Sequence, residues 1–472
     1  MSEQYDAVII GSGPNGLSAG IMLAKEGLKV LIVEGSDSPG GGMRTSEMTL
    51  SGFRHDICSA VHPMAYVSPY FKTLPLEKFG LEWIVPEASA AHPLDGEEAV
   101  ILTKSIEETA AGLGLDEQKY LDLMSPLLSK ADELIMESLK PLGLPKHPLL
   151  MLNFGLKAIQ PATFFANRKF NGERAKALFA GCAAHSVLPL SNLFTAAIGL
   201  IFLTTGHVEN WVVPKGGSMS ITNALVRYFE SLGGEMLFST KIKNFKELPS
   251  AKKYIFDTDP IQLAKIAEDQ LPALYKKRLN RYRFGPGVFK IDFALDGPIP
   301  WYDDNCLKAS TVHVGGTLKE IAQSEKDAWN GRHNDKPFVM MAQQSQFDDS
   351  RAPYGKHTGW AYCHVPNGSQ KDMTSQIENQ IERFAPGFKD IVLDRKIMST
   401  HDFYNYNPNY FGGAVTGGAA DIFQLFSRPI AKLDPYKTAN PDIFICSASS
   451  PPGGGVHGMC GFYAAKSVLE SL

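Results

Sequence analysis

An α/β fold of two interleaved domains is what the sequence predicts. Three observations predict it: a strand, glycine turn and helix near residue 10, a second glycine run between strand and helix near residue 455, and helical then alternating patterns between them. The two glycine junctions belong to one domain assembled from residues 1–75, 212–285 and 425–472. Residues 76–211 and 286–424 form the second domain, an α+β unit with a helical subregion. At 472 residues the chain suits two cores better than one.

The first junction is the more specific. Asp6-Ala7-Val8-Ile9-Ile10 is an apolar run of strand type, followed by Gly11-Ser12-Gly13-Pro14-Asn15-Gly16, a helical stretch to Gly27, a strand over 29–33, and Glu34. That order is the dinucleotide-binding fingerprint of a Rossmann-like domain. Gly11 permits the tight turn, Gly13 lets backbone approach a pyrophosphate, and Gly16 lets helix pack on sheet. Free N–H groups at the helix start favour an anion. Glu34 stands where a carboxylate takes the ribose hydroxyls, which argues against a cofactor phosphorylated on that ribose.

A second glycine turn follows at once, Gly40-Gly41-Gly42-Met43-Arg44-Thr45. Such a turn beneath the same pyrophosphate, with Arg44 supplying a charge-assisted contact, marks FAD as the expected cofactor. No further Gly-x-Gly-x-x-Gly with a following acid occurs downstream, so a nicotinamide in its own Rossmann domain is not expected.

Composition narrows the rest. A net charge of -4 leaves no footprint for nucleic acid. The six cysteines form no Cys-x-x-Cys pair and no metal-ligand spacing, so no redox disulfide and no metal are expected. The first strand starts near residue 5, which leaves no room for a cleavable leader and implies a cytoplasmic chain.

Along the chain, His55 and His62 sit where the backbone would pass toward a substrate. Residues 81–85 and 99–102 read as strands, and 105–210 as proline-punctuated helices. Two apolar stretches there, 148–154 and 193–203, are too short to span a membrane. They read as buried helices, or as a face for a lipophilic substrate or membrane surface. Residues 219–231 form a helix, and 241–245 and 254–258 return as strands. An alternating strand over 288–295, strands around Val312, Val339 and 360–366, and a charged helix over 374–384 place helices over a largely antiparallel sheet. Finally the strand 442–447 leads into Pro452-Gly453-Gly454-Gly455-Val456-His457-Gly458 and a small-residue helix. Its N–H groups are placed to stabilise negative charge on a reduced flavin.

The chain resembles the FAD-dependent phytoene desaturase-like oxidoreductases, the group of carotenoid desaturases and isomerases, with monoamine oxidases more remote. The resemblance is carried by Arg351-Ala352-Pro353-Tyr354-Gly355-Lys356-His357-Thr358, Glu382-Arg383-Phe384-Ala385-Pro386-Gly387-Phe388, Asn407-Pro408-Asn409, Arg428-Pro429 and the last glycine run. Ser447, Lys437 and Ala414-Val415 depart from its pattern at positions that bear on substrate or subunit contacts. The resemblance implies FAD held by Gly11, Gly13, Pro14, Asn15, Gly16, Glu34, Gly41, Gly42, Met43, Arg44, the strand at Ile242, and Gly455-Val456. It implies a small lipophilic or conjugated substrate beneath the flavin, in a monomer or homodimer with peripheral membrane contact. Hydride would pass to the flavin and a proton to a weak base or water. Candidates beside the ring are His457, His364 and Tyr362. An amine oxidase would instead draw on an aromatic pair from Tyr404, Tyr406 and Tyr410, and a regulatory flavoprotein would turn over little.

Overall fold

The computed structural model describes residues 5–472. Five strands make a wholly parallel sheet in the order Ile443–Ile445, Ala251–Phe256, Tyr5–Ile10, Val30–Val33, Glu235–Leu237. Its central strands are apolar on both sides because helices cover both faces. Pro14–Lys25, Met219–Ser231 and Met459–Leu469 pack on one face, and Pro260–Ile266 and Ala273–Leu279 on the other. The last helix lies hard against the first. A Cβ on Gly461 would come within 1.9 Å of the Asn15 carbonyl oxygen, a distance that only glycine tolerates.

The second sheet has seven strands, ordered Val392–Met398, Gly287–Leu295, His357–Val365, Val339–Ala342, Ala309–Val314, Ala88–Leu94, Glu97–Leu102. All pairings are antiparallel except that of Ala309–Val314 with Ala88–Leu94. Helices from Ile106–Ala111 to Thr195–Val208 gather into a separate core around Phe154, Phe165, Phe179 and Leu200. Among the described residues no single helix is long and apolar enough to cross a membrane; Pro148–Ala158 and Ala162–Lys169, which reach that length together, meet at 97°.

Two expected strands differ. Residues 241–245 are not a strand; Glu235–Leu237 takes the sheet edge, and the chain after it is pinned by Ser239 and Thr240 N–H groups donating to Ser36 and Glu34 carbonyls. The strand over 81–85 shortens to Trp83–Ile84 against Val213–Pro214, because Pro86 and Pro214 remove the donors that would extend it.

The segment after the second glycine turn is tied to the second sheet through buried charge. Arg351 is completely buried; its Nη2 donates to Asp56 Oδ2 at 2.6 Å and its Nε to Asp348 Oδ2 at 3.2 Å. Asp56 Oδ1 also accepts from Thr45 Oγ1 at 2.7 Å and Ser218 N at 2.8 Å. Burial opposes the charge on Asp56, yet Arg351 and the donors hold its carboxyl below the usual range. The Asp56 carbonyl accepts from Lys290 Nζ at 3.0 Å and Trp360 Nε1 at 2.9 Å, and Lys290 also pairs with Asp292. Replacing Arg351 by Met strands a buried carboxylate, so urea denaturation should show a loss of about 3–5 kcal/mol. Adding Asp56→Asn should recover part of that loss.

Candidate active site

One cavity runs between the two sheets, lined by Gly11, Gly13, Pro14, Asn15, Glu34, Gly41, Gly42, Arg44, Ile242, Gly455 and Val456 at one end. At the other end it is walled by the second sheet and the helical region. Gly16 lies just behind the turn, where a Cβ would come within 2.2 Å of the Gly11 carbonyl oxygen. Gly11 itself has φ +102°, a left-handed conformation open to glycine. A Cβ on Gly13 would meet Asp257 at 2.6 Å. The turn is thus a cradle of bare backbone, as a pyrophosphate requires.

Glu34 closes this end. Its Oε2 accepts from Ser12 N at 3.0 Å and its Oε1 from Ser36 N at 2.9 Å, which holds the carboxylate at the cavity edge. Arg44 is used differently from expectation. Its Nη2 donates to the Ser38 carbonyl at 2.6 Å and lies 3.5 Å from Glu34, its Nε donates to the Pro39 carbonyl at 3.0 Å, and its guanidinium lies over the Tyr406 ring. The arginine therefore orders the loop that carries Glu34 while bordering the cavity. Met43 is a correction: its side chain is fully buried in the core beside the first helix and does not line the cavity, because the turn reverses there and its carbonyl accepts from Thr222.

Asp257 went unnoticed in the sequence. It follows the strand Ala251–Phe256, and its Oδ2 accepts from Gly16 N at 2.9 Å, so the helix start is met by a carboxyl from a distant segment. The only sequence signal is the Asp-Thr-Asp run after that strand. Burial pushes the Asp257 carboxyl up to about 8, with the Gly16 N–H opposing and Glu34 adding to the rise. Lys290 was also missed: a buried ammonium on an apolar strand, at the cavity wall and 5.6 Å from the centre of the Trp360 ring.

The expected histidines separate. His457 borders the cavity, but its Nδ1 accepts from Met459 N at 3.0 Å and the Gly453 and Gly454 carbonyls draw on the same ring; burial lowers it to about 4. It shapes the glycine run and has no nitrogen left for a substrate. His62 lines the cavity and bonds to Ser218 Oγ at 2.8 Å, whereas His55 lies behind it beside Thr49 and Asp292. Tyr362 and His364 line the chamber. The Tyr362 hydroxyl donates to Met340 sulfur at 3.2 Å, and burial raises it far above the usual phenol range. Tyr406 and Tyr410 border the cavity too, but Tyr406 donates to the Gly41 carbonyl at 2.7 Å and Tyr410 packs against Gly42; Tyr404 is half exposed and away from it. These tyrosines brace the second glycine turn.

The donor set fits FAD. Glu34 would take the ribose, the Gly11–Gly16 and Gly41–Gly42 turns the pyrophosphate, and Gly455–Val456 the ring. The NAD(P)-binding Rossmann-like domain family matches residues 9–74, a unit that serves FAD as well as NAD. Over its full length the chain is 23% identical to pyridine nucleotide-disulfide oxidoreductase domain-containing protein 2 of Mus musculus, covering 94% of it, and 23% identical to a limonene dehydrogenase polypeptide of Castellaniella defragrans, covering 96%. A phytoene desaturase (lycopene-forming) of Pseudescherichia vulneris is 22% identical, with 96% of each chain covered. Among solved structures, an oxidoreductase from Methanosarcina mazei superposes with a TM-score of 0.67 at 16% identity, over 98% of this chain and 99% of the other. A putrescine oxidase bound to putrescine gives 0.62 at 17% identity, over 100% and 99%.

Asp257 makes a pH test of this site. The unfolded carboxyl ionises near 4 and the folded one near 8, so the native state holds the extra proton and stability falls as pH rises through that interval. Asp257→Asn should flatten this slope, measured as urea midpoints from pH 4 to 9. Over essentially its full length the chain is thus similar to oxidoreductases, a phytoene desaturase and a putrescine oxidase among them, with a Rossmann-like domain match at residues 9–74.

Proposed function

We propose that the chain is a FAD-dependent oxidoreductase acting on a lipophilic or conjugated substrate, in a desaturation or isomerisation of the phytoene desaturase kind. The observation that carries this reading is the cavity, a single space of 1070 Å³ that joins the glycine cradle to a chamber lined by Val61, Met151, Phe154, Ile198, Ile201 and Phe202. Sites for one ligand measure about 300–1,000 Å³. This one lies just above that range, and its far part is apolar. Bound FAD would supply the hydride acceptor. The chain's own residues exclude water, orient the substrate against Trp360 and Tyr362, and leave the departing proton to a weak base or water. The amine oxidase reading is less well supported, since Tyr406 and Tyr410 are spent on the glycine turn.

The chamber's roof favours lipid contact. Helix Pro148–Ala158 turns Met151, Phe154 and Ala158 to the cavity, while Leu149, Leu152 and Leu156 are 82%, 60% and 65% exposed on its other side. Leu144 nearby is 95% exposed. Residues 141–170 hold Lys146, Lys157, Arg168 and Lys169 and no Asp or Glu, while Lys140 just before them is paired with Glu137. An apolar surface ringed by cations suits the interface of an anionic bilayer, from which an apolar substrate would reach the chamber.

Heat should release FAD from the purified protein, and dithionite should bleach the bound flavin; Gly11→Ala with Gly13→Ala should abolish flavin retention. A colourless wild type would overturn the cofactor assignment, and a bound flavin that no reductant bleaches would favour the regulatory reading. Wild type should co-sediment with phosphatidylserine vesicles. Leu149→Asp, Leu152→Asp and Leu156→Asp together should weaken that binding by about 100-fold, with flavin content unchanged.

A further inference from the structure

Two acids flank the first glycine turn, and the register of the parallel sheet delivers both. Ile10 pairs with Phe256 on one side and with Val33 on the other, so the residues that leave the three strands side by side are Asp257, Gly11 and Glu34. Asp257 N donates to the Ile10 carbonyl at 2.8 Å, which fixes its backbone beside the turn. Its carboxyl then reaches the helix start. Oδ2 accepts from Gly16 N at 2.9 Å and lies 2.6 Å and 3.0 Å from where a Cβ would stand on Gly13 and Gly16. Both acids line the cavity.

Their settings differ. Glu34 accepts from Ser12 N and Ser36 N and has Arg44 at 3.5 Å. Among the described residues Asp257 makes no salt bridge, and a buried charge without a cation is costly to hold. The other groups that face it do not supply one. Cys446, after strand Ile443–Ile445, and Cys460, in helix Met459–Leu469, are thiols that burial keeps protonated, with Asp257 adding to the effect. Asn409, which donates to the Asp257 carbonyl at 3.4 Å, is neutral. Asp259, two residues on, caps helix Pro260–Ile266, and burial pushes it up to about 6, below the range near 8 where Asp257 ionises. Arg44 is engaged by Glu34 and the Ser38 carbonyl, and Arg428 by the Ala419 carbonyl.

Building on the FAD assignment, we propose that Asp257 is a cofactor-site residue that works as a neutral acid, so that FAD is held together with a proton on its carboxyl. A pyrophosphate seated on this turn brings more negative charge to a cradle that already carries Glu34, where little water screens it. Asp257 is the acid that gives way, by keeping a proton in place of a charge. The loaded site therefore binds that proton more tightly than the empty one. Below the range where Asp257 ionises the proton is already present and FAD affinity is level; above it each FAD must draw a proton from solution, and affinity falls as pH rises.

The test dilutes the flavin-loaded protein into buffers from pH 6.5 to 9.5 and reads released FAD by its fluorescence, with far-UV circular dichroism confirming that the chain stays folded. Wild type should hold FAD about tenfold more weakly at pH 9 than at pH 7. Asp257→Asn, which keeps an acceptor for the Gly16 N–H, should remove that fall. Glu34→Gln should loosen FAD at every pH and move the onset of the fall to lower pH, because Glu34 adds to the rise of Asp257. A wild-type affinity level to pH 9.5, a fall that persists in Asp257→Asn, or an onset that Glu34→Gln leaves in place would each overturn the proposal while FAD itself stands. Protein that carries no flavin at any pH would overturn the FAD assignment, and the proposal with it.

Discussion

The site depends on one buried carboxylate. Asp56 receives Arg351 from the loop before strand His357–Val365, Ser218 N from the start of helix Met219–Ser231, and Thr45 from the second glycine turn, while its carbonyl takes Lys290 and Trp360 from the second sheet. All but the Thr45 contact, which lies within one two-stranded ribbon, cross from one part of the fold to another. Buried ion pairs are weak evidence for net stability, but breaking one is costly, because the remaining charge has no water to turn to. What the network provides is register: the glycine turn and the aromatic wall are set at a fixed distance across the cavity.

Around that anchor the cavity divides by chemistry. At the cradle, glycines expose backbone and two acids, Glu34 and Asp257, face the same turn. Burial keeps Asp257 protonated at neutral pH, which spares the site a second negative charge beside Glu34. At the far end the wall is largely apolar and aromatic, and its polar groups include the Lys290 ammonium, paired with Asp292, and two imidazoles, His185, which burial keeps neutral, and His364, which is paired with Glu325. Such a space treats a hydrophobic body well and penalises a charge that finds no partner. His457 shows how position and role can part: it sits in the glycine run beside the cavity, yet its ring is consumed by the backbone of its own loop.

Much of this was legible in the chain itself. The first βαβ unit, the last strand and helix, the helix over 374–384 and the strands over 288–295 and 360–366 follow from local signals: apolar runs bounded by glycine, period-two alternation, and a charged amphipathic stretch. Gly11, Gly13, Glu34, Gly42 and Gly455, which the fold brings to one cavity, were marked in the chain by glycine turns and by an acid at a strand end. Where prolines and a pinned loop intervened, at 81–85 and 241–245, local propensity misled.

The sequence by itself determined the first βαβ unit and the glycine turns that edge the cavity, since each rests on residues close together in the chain. Only the tertiary structure decided what stands opposite. Asp257 reaches Gly16 across 241 residues, Arg351 reaches Asp56 across 295, and Glu325 reaches His364 from another element. No local pattern marks such partners, because a buried charge is chosen by what surrounds it after folding. The same holds for the roof helix: its apolar residues read as core in one dimension, and only the fold shows that Met151, Phe154 and Ala158 face the cavity while Leu149, Leu152 and Leu156 face outward.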